Sequence, residues 1–529
     1  MRRSFWALGA VLGGLASLPL IALLYLGQQF ASLPFLPFDL FDWLARRLPG
    51  GAITLGIDAI VGFVRALNLG PLSDSAKLIE QLIALALVVL IGALFGALLA
   101  LAVRRDPGSS ARAGPVAGFV LFLLAAAMKY DLGFASDPSL PLLWMAALLI
   151  GWGALLGRTL GAVARQPEPV AASSAGQIGR RAALRLAGGS IAVAVGAWGL
   201  GRLLQGTRLA SGAGQPLAGQ NEAPSTQATA PADGRLEPAL GTRPEITPNE
   251  RFYRIDIDTR PPVIDGRTWA LNVSGLFDRP RALTLADLMA YPAVTQAITI
   301  SCISNPIGGD LIGTSMWTGA RLRDVLADLG LKPTAQELFI ESVDGFYESV
   351  TMRDMLNPRT LLVYGMNGVT LPIEHGFPLR IYIPNHYGMK QPKWIARIEA
   401  IDHDAPGYWV ERGWNKAAHP QIISMIDAVA GDQVVAGRVP VGGIAWAGDR
   451  GIQKVEVQVD DGTWVPADLR LPSLSPLTWV QWCYDWPAQR GRHAFRVRAT
   501  DGAGELQIGA PAPPAPDGAT GYHTVTATI

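Results

Sequence analysis

Apolar residues follow two rhythms along this chain, and the change of rhythm divides it. Up to residue 204 they come in long unbroken runs, and after a polar stretch they alternate or recur at helical spacing. A helix that crosses a bilayer needs about 20 consecutive apolar residues. Such runs occur at Phe5–Leu26, Leu82–Val103, Leu140–Val163 and Ala182–Leu204. Gly114–Tyr130 is shorter but spans if Lys129 snorkels to the interface. Gly51–Leu67 holds Asp58 and Arg65, and charges at mid-membrane are costly.

Loop charge arbitrates between five spans and six. With five, and with Arg2 and Arg3 cytoplasmic, Arg104, Arg105 and Arg112 fall inside. Asp131 and Asp137 fall outside, and Arg165, Arg180, Arg181 and Arg185 return inside. That is the positive-inside pattern. A sixth span would put Arg104, Arg105 and Arg112 outside, so Leu33–Leu67 is read as lying on the outer face, partly as an interfacial helix. Gly179-Arg180-Arg181 before a Gly/Ala-rich segment looks like an internal twin-arginine export signal, or is an ordinary positive-inside pair. The expected location is a bacterial inner membrane, multi-pass, with everything after residue 204 periplasmic.

Residues 205–245 are rich in Gly, Ala, Pro, Ser, Thr and Gln, hold no aromatic residue, and read as a disordered tether. Beyond them Trp269–Val273, Leu338–Val343, Leu361–Tyr364, Leu379–Ile383 and Ile395–Ile401 read as strands. Leu283–Met289, with Thr284 as cap, and Arg321–Leu329, stopped by Gly330, read as helices. This mixture predicts an α+β domain over residues 246–430. After Gly431 only alternating strands remain, Val455–Val459 and Ala494–Ala499, with Trp464, Trp479, Trp482 and Trp486 between them. Residues 431–529 are expected to form an all-β immunoglobulin-like sandwich with those tryptophans in its core.

Total charge says little, with 44 basic and 43 acidic side chains. Its distribution says more, because residues 1–204 carry 16 basic and 9 acidic groups. No basic patch interleaved with aromatics is present, so no nucleic-acid partner is expected. The first histidine in the chain is His375, which leaves the membrane half without the usual haem ligands. There is no C-x-x-C-H and no cysteine cluster, so neither haem nor iron–sulfur is expected.

There are two cysteines. Cys302 ends the strand-like run Ala297–Ser301 and is followed by Asn305-Pro306 and Gly308-Gly309, which force a loop. Taken alone it is a buried thiol, the commonest fate of a free cysteine. Cys483, among the C-terminal strands, is read that way. A second dense stretch, HGFPLRIYIPNHYGMKQPKW, runs from His375 to Trp394.

Together ISCISNP (Ile300–Pro306), SMWTGARLRDVL (Ser315–Leu326), VYGMNGVTLPIEHGFPLRIYIP (Val363–Pro384), GMKQPKW (Gly388–Trp394) and VEVQVDDGTW resemble the sulfite oxidase family. The resemblance covers roughly Arg254 to Gln507. It implies molybdenum held by one pyranopterin (molybdopterin), with Cys302 as the protein's metal ligand and a catalytic residue. A soft thiolate suits a metal that cycles between oxidation states. Asn305, His375, Arg380, Lys390 and Lys393 match positions that line the pterin pocket in that family. His375 is otherwise a core or turn histidine, and Lys390 and Lys393 otherwise belong to a solvated loop. Tyr347 is taken as a second catalytic candidate, and Tyr364 as a pocket or packed strand aromatic.

One departure bears on substrate. Sulfite-oxidising members resemble C-x-x-N-R at the ligand, whereas Pro306 follows Asn305 here and no arginine comes before Arg321. The export signal and the missing arginine are closer to the periplasmic methionine-sulfoxide-reductase branch, which lacks the sandwich domain. In the family that domain makes dimers, so a homodimer through the C-terminal domain is an expectation. The reading is a membrane-anchored oxidoreductase transferring an oxygen atom or oxidising a small sulfite-like or sulfoxide-like substrate. Its electrons would pass to a separate partner, a cytochrome or a haem membrane protein. The competing reading is a non-catalytic binding or assembly protein that keeps the fold.

Overall fold

A computed structural model of the chain describes residues 5–67, 69–133, 137–165, 196, 200, 212–217, 235–431 and 436–529. Six helices come first: α1 (Phe5–Ala31), α2 (Leu36–Arg47), α3 (Gly50–Ala66), α4 (Leu72–Arg105), α5 (Ser110–Leu132) and α6 (Ser139–Ala164). By length and composition α1, α4, α5 and α6 suffice to cross a membrane. They take in four of the five predicted spans. The fifth, Ala182–Leu204, lies outside the described residues save for Gly196 and Leu200, and the arginine pair before it lies outside them altogether. The segment read as interfacial holds α2 and α3.

The helices meet through glycine. A Cβ on Gly13 of α1 would stand 2.1 Å from the carbonyl oxygen of Gly92 on α4, and one on Gly153 of α6 would stand 2.4 Å from that of Gly114 on α5. Only hydrogen fits there, and small residues of this kind are how helices approach closely in lipid.

The chain divides into two compact units. One comprises Met1–Pro49, Ser75–Leu209 and Asp258–Arg260; the other comprises Gly50–Asp74, Ala210–Ile257 and Pro261–Ile529. In the second unit the strands run β1 (Ala270–Gly275), β2 (Ala282–Thr284), β3 (Ala293–Ser301), β4 (Ile312–Arg321), β5 (Glu337–Ser342), β6 (Tyr347–Thr351), β7 (Leu361–Met366), β8 (Val369–Thr370), β9 (Arg380–Tyr382) and β10 (Ile395–Ile401). One sheet has the order β2-β1-β10-β5-β6, and the other β3-β4-β7-β8 with β9 also on β7. The β1–β10 pair is parallel, the remaining pairs antiparallel.

Two helices cover this core, α7 (Leu285–Met289) and α8 (Leu322–Leu329). Thr284 caps α7 with a full capping box against Asp287, and Gly330 ends α8 in the left-handed region at φ 70°. Leu288, Val325, Leu326 and Leu329 pack on Leu271, Ile340, Leu362, Ile381 and Ile398 from both sheets.

Eight further strands follow: β11 (Ile423–Val429), β12 (Arg438–Trp446), β13 (Ile452–Val459), β14 (Val465–Pro466), β15 (Asp468–Leu469), β16 (Val480–Pro487), β17 (Arg492–Asp501) and β18 (Thr524–Thr528). They form two four-stranded sheets, β11-β12-β16-β15 and β14-β13-β17-β18. Val439, Val441 and Trp482 from the first share one core with Val455, Val457, Phe495 and Val497 from the second. These sheets begin at Ile423 rather than after Gly431, because β11 pairs with β12. Trp482 and Trp486 lie in that core as read from the sequence. Trp479 joins a different cluster, and Trp464 is half-buried under the Arg498 guanidinium at 4.3 Å. Cys483 is buried on β16, and burial pushes its thiol up to about 11.

Parts of the stretch read as a disordered tether are instead fixed in the second unit. Pro216 bridges Val369, Leu217 is buried and donates its amide to Gly368, and Arg243 is hydrogen-bonded to Asp427. Polar composition concealed these anchors, since each is a single residue among Gly, Ala and Pro.

Candidate active site

Three segments, far apart in sequence, meet at one end of β3. They are Asn249–Asp256 before β1, the Ser301–Leu311 loop after β3, and His375–Trp394 around β9. β3 pairs with β4 in nine successive residue pairs, from Ala293↔Ala320 to Ser301↔Ile312. That ladder ends where Cys302 begins.

The loop beyond is tied shut. Cys302 donates its amide to Leu311 (2.9 Å) and accepts from the Asn305 amide (3.1 Å), while Asn305 Oδ1 accepts from the Leu311 amide (3.0 Å). Asn305, assigned to the cofactor by resemblance, thus has a loop-bracing role on its oxygen. Cys302 Sγ lies 3.0 Å from Ser304 Oγ. Burial pushes its thiol up; Ser304, the Ile303 and Ser304 amides and Lys393 oppose that.

The third segment brings cations. Arg380 leaves β9 buried, stacks 4.7 Å over the Trp317 ring and donates from Nη1 to the His375 carbonyl (3.2 Å). Burial draws its guanidinium down to about 10, and its Nε is buried without a hydrogen-bond partner. Lys393 pairs with Asp256, whose other oxygen lies 2.9 Å from Arg254 Nε. Gly376, at φ 112°, lets the chain turn between them, because a Cβ there would meet those of Arg380 and Lys393 at 3.1 Å. With Arg254, Arg380 and Lys393 against the carboxylates of Asp256 and Asp344, this cluster carries an excess of positive charge.

His375 is neutral at ordinary pH. Burial lowers it to about 4, and Nε2 lies 2.9 Å from the Asn249 carbonyl, an acceptor that places the ring proton on Nε2. Its ring stands edge-on to Phe252, 5.5 Å between centroids. Tyr253 is stacked on Phe252 and places its hydroxyl against Gly388, where a Cβ would lie 2.7 Å away. Burial first, then the neighbouring Cys302, raises this phenol well above its ordinary value.

The remaining sequence-read residues have other partners. Lys390 forms a buried ion pair with Glu348 at 2.7 Å and also donates to the Ser349 carbonyl. Tyr347 hydrogen-bonds Glu411 and packs on Phe339 and Tyr408; burial, then Glu411, pushes its hydroxyl up to about 12. Tyr364 is buried on β7. Missed from the sequence were Tyr253, Arg254, Asp256, Ser304 and Trp317. The first three sit in NERFYRID (Asn249–Asp256), a stretch whose aromatic and charged density was the available signal.

The donor set fits a molybdenum–pyranopterin group. One soft thiol is offered to a metal, and a buried arginine with an orphaned Nε, beside a lysine, faces the same region, as an anionic phosphate requires. Among the described residues no group of three or more His, Cys, Asp or Glu side chains is arranged to hold a metal by itself.

Comparison with known proteins agrees. Residues 258–409 match the family described as oxidoreductase molybdopterin binding domain. The chain is 30% identical over 273 residues to the sulfite oxidase of Arabidopsis thaliana, covering 42% of this chain and 70% of that one. It is 28% identical over 333 residues to the mitochondrial sulfite oxidase of Homo sapiens, covering 54% of this chain and 61% of that one. Among solved structures, the sulfane dehydrogenase SoxCD from Paracoccus pantotrophus aligns with a TM-score of 0.47 at 21% identity, over 54% of this chain and 81% of that one. The chain spans under two thirds of the human protein's length. Sequence, site and relatives converge on one assignment: this chain belongs to the sulfite oxidase family of molybdopterin-dependent oxidoreductases.

Proposed function

We propose that the chain is a membrane-anchored oxidoreductase that carries out two-electron oxygen-atom transfer or oxidation on a small sulfur oxo compound. The observation that carries this is the meeting of the Cys302 thiol with Arg380 and Lys393 at the end of a rigid strand pair. Four helices long and apolar enough to span support the anchor, and the loop charges support a periplasmic catalytic part. The reading as a non-catalytic binding protein is set aside by membership in an enzyme family.

When bound, a molybdenum–pyranopterin group supplies the redox chemistry and the exchangeable oxygen. The chain's own residues bind and orient. Cys302 offers the single protein sulfur. Arg380 and Lys393 supply cationic donors for the pterin phosphate, with Asp256 holding Lys393 in place. His375, neutral and with its Nε2 proton on Asn249, has Nδ1 left to accept a hydrogen bond. Asn305 keeps the Cys302 loop closed. Lys390 and Tyr347 support the surrounding strands through Glu348 and Glu411. The two C-terminal sheets are proposed as an immunoglobulin-like module through which two copies pair.

The chain carries no histidine before His375, so electrons would pass to a separate cytochrome or haem-bearing membrane protein. The test uses the full chain in detergent. About one molybdenum per chain is expected, with turnover against some member of a panel of sulfoxides, N-oxides and sulfite. Cys302→Ser is expected to abolish turnover with the fold intact, because a serine oxygen is a harder ligand. Full activity in that variant, or an active wild type free of molybdenum, would overturn the reading.

A further inference from the structure

The Cys302 sulfur lies against a hydroxyl supplied by its own loop. Ser304 Oγ is 3.0 Å away. The loop is held from outside this contact. Asn305 closes the turn onto the Cys302 carbonyl, its side chain grips the Leu311 amide, and Ile303 is buried in the cluster containing Tyr387, Met389 and Trp446. The hydroxyl therefore has a fixed place relative to the sulfur.

A thiolate carries no proton, so as a metal ligand the Cys302 sulfur can only accept. The Ser304 hydroxyl, which can act either way, is then the donor. Donors around a cysteine sulfur are a general means of setting the potential of the metal it ligates, because they withdraw electron density from the ligand. Weaker donation from the sulfur favours the more reduced metal.

We infer that Ser304 is a positioning residue that hydrogen-bonds the Cys302 thiolate and raises the potential of the metal it holds. This rests on the reading of Cys302 as the molybdenum ligand. Ser304 need not touch substrate, and it acts through the sulfur alone. None of the hydrogen bonds that close the loop uses the Ser304 side chain, so the hydroxyl can be removed by itself.

The experiment is a redox titration of the full chain in detergent, followed by the molybdenum EPR signal, with metal content measured on every sample. Ser304→Ala and Ser304→Gly should each retain wild-type molybdenum content. Each should lower the midpoint by on the order of ten-fold in the one-electron equilibrium, which is 59 mV. Ser304→Thr, which keeps a hydroxyl on the same carbon, should stay near wild type. An unchanged midpoint in both donor-less variants, or a Thr variant that behaves like Ala, would overturn the role of Ser304 and leave the ligand assignment standing. A molybdenum-free but active wild type would overturn both.

Discussion

Lys390 and Glu348 face each other at 2.7 Å with side chains 2% and 0% exposed, so neither charge reaches water. Burial raises the Glu348 carboxyl while Lys390 opposes it, and Gly407 packs so tightly that a Cβ there would lie 1.9 Å from Glu348 Oε1. Removing one member of such a pair strands the other, at a cost of about 3–5 kcal/mol. Lys390→Met is therefore expected to destabilise the fold by that order, seen as a lower melting temperature. Adding Glu348→Gln should recover much of the loss. A Lys390→Met protein as stable as wild type would show that the pair does not hold these strands.

Acid should act on His375. Its folded value of about 4 lies below the ordinary 6.5, so protonation favours the unfolded chain. Its contribution is complete above pH 6.5 and is lost as pH falls through 6.5 toward 4. The difference corresponds to about 3 kcal/mol. In cofactor-free protein, the denaturation midpoint of wild type should fall over this window more steeply than that of His375→Asn. Parallel pH profiles for the two would refute it.

Arg380 offers what lysine cannot. Its plane lies 4.7 Å over Trp317, and its Nε is buried with no partner. Hydrogen bonds to a charged group contribute about 1.5–3 kcal/mol. Arg380→Lys keeps the charge but loses the fork and the stacking. Pterin content per chain is expected to drop by about ten-fold or more, measured by release and fluorescence. Full retention in Arg380→Lys would mean that charge alone suffices there.

Sulfite should be a poor substrate. Pro306 occupies the place where the resemblance calls for arginine, and Arg254 and Lys393 already share Asp256. A desolvated dianion without a cation is costly. The catalytic efficiency for sulfite is expected below about 10⁴ M⁻¹s⁻¹, the lower end of the usual enzyme range. A value inside that range would show that Arg380 or another cation serves the substrate after all.

Local pattern carried much of this fold. Ile395–Ile401 occurs as read, and Thr284 and Gly330 bound helices as their chemistry requires. Cys302 stood out because a strand signal and a Gly/Pro loop bracket it in sequence. Asp256 did not, since its partner Lys393 lies 137 residues away and an isolated aspartate in a loop looks solvated. The ion pair of Lys390 was hidden for the same reason, as Glu348 reads as an ordinary outward residue of a strand. β11 escaped because ISMIDAV (Ile423–Val429) does not alternate, its pattern being broken at Met425-Ile426, next to the point where the pairing shifts register. Long-range pairing, not local propensity, decided each of these.

The nine-pair ladder from β3 to β4 has a consequence for speed. A metal that changes oxidation state prefers different bond lengths before and after, and every ligand that relaxes adds to the barrier. Here the sulfur is mounted on the residue that follows a two-stranded brace, with its loop pinned at Asn305 and Leu311. A site preorganised in this way needs little rearrangement at the moment of reaction. With a metal bound there, its charge would change while the protein scaffold stays still.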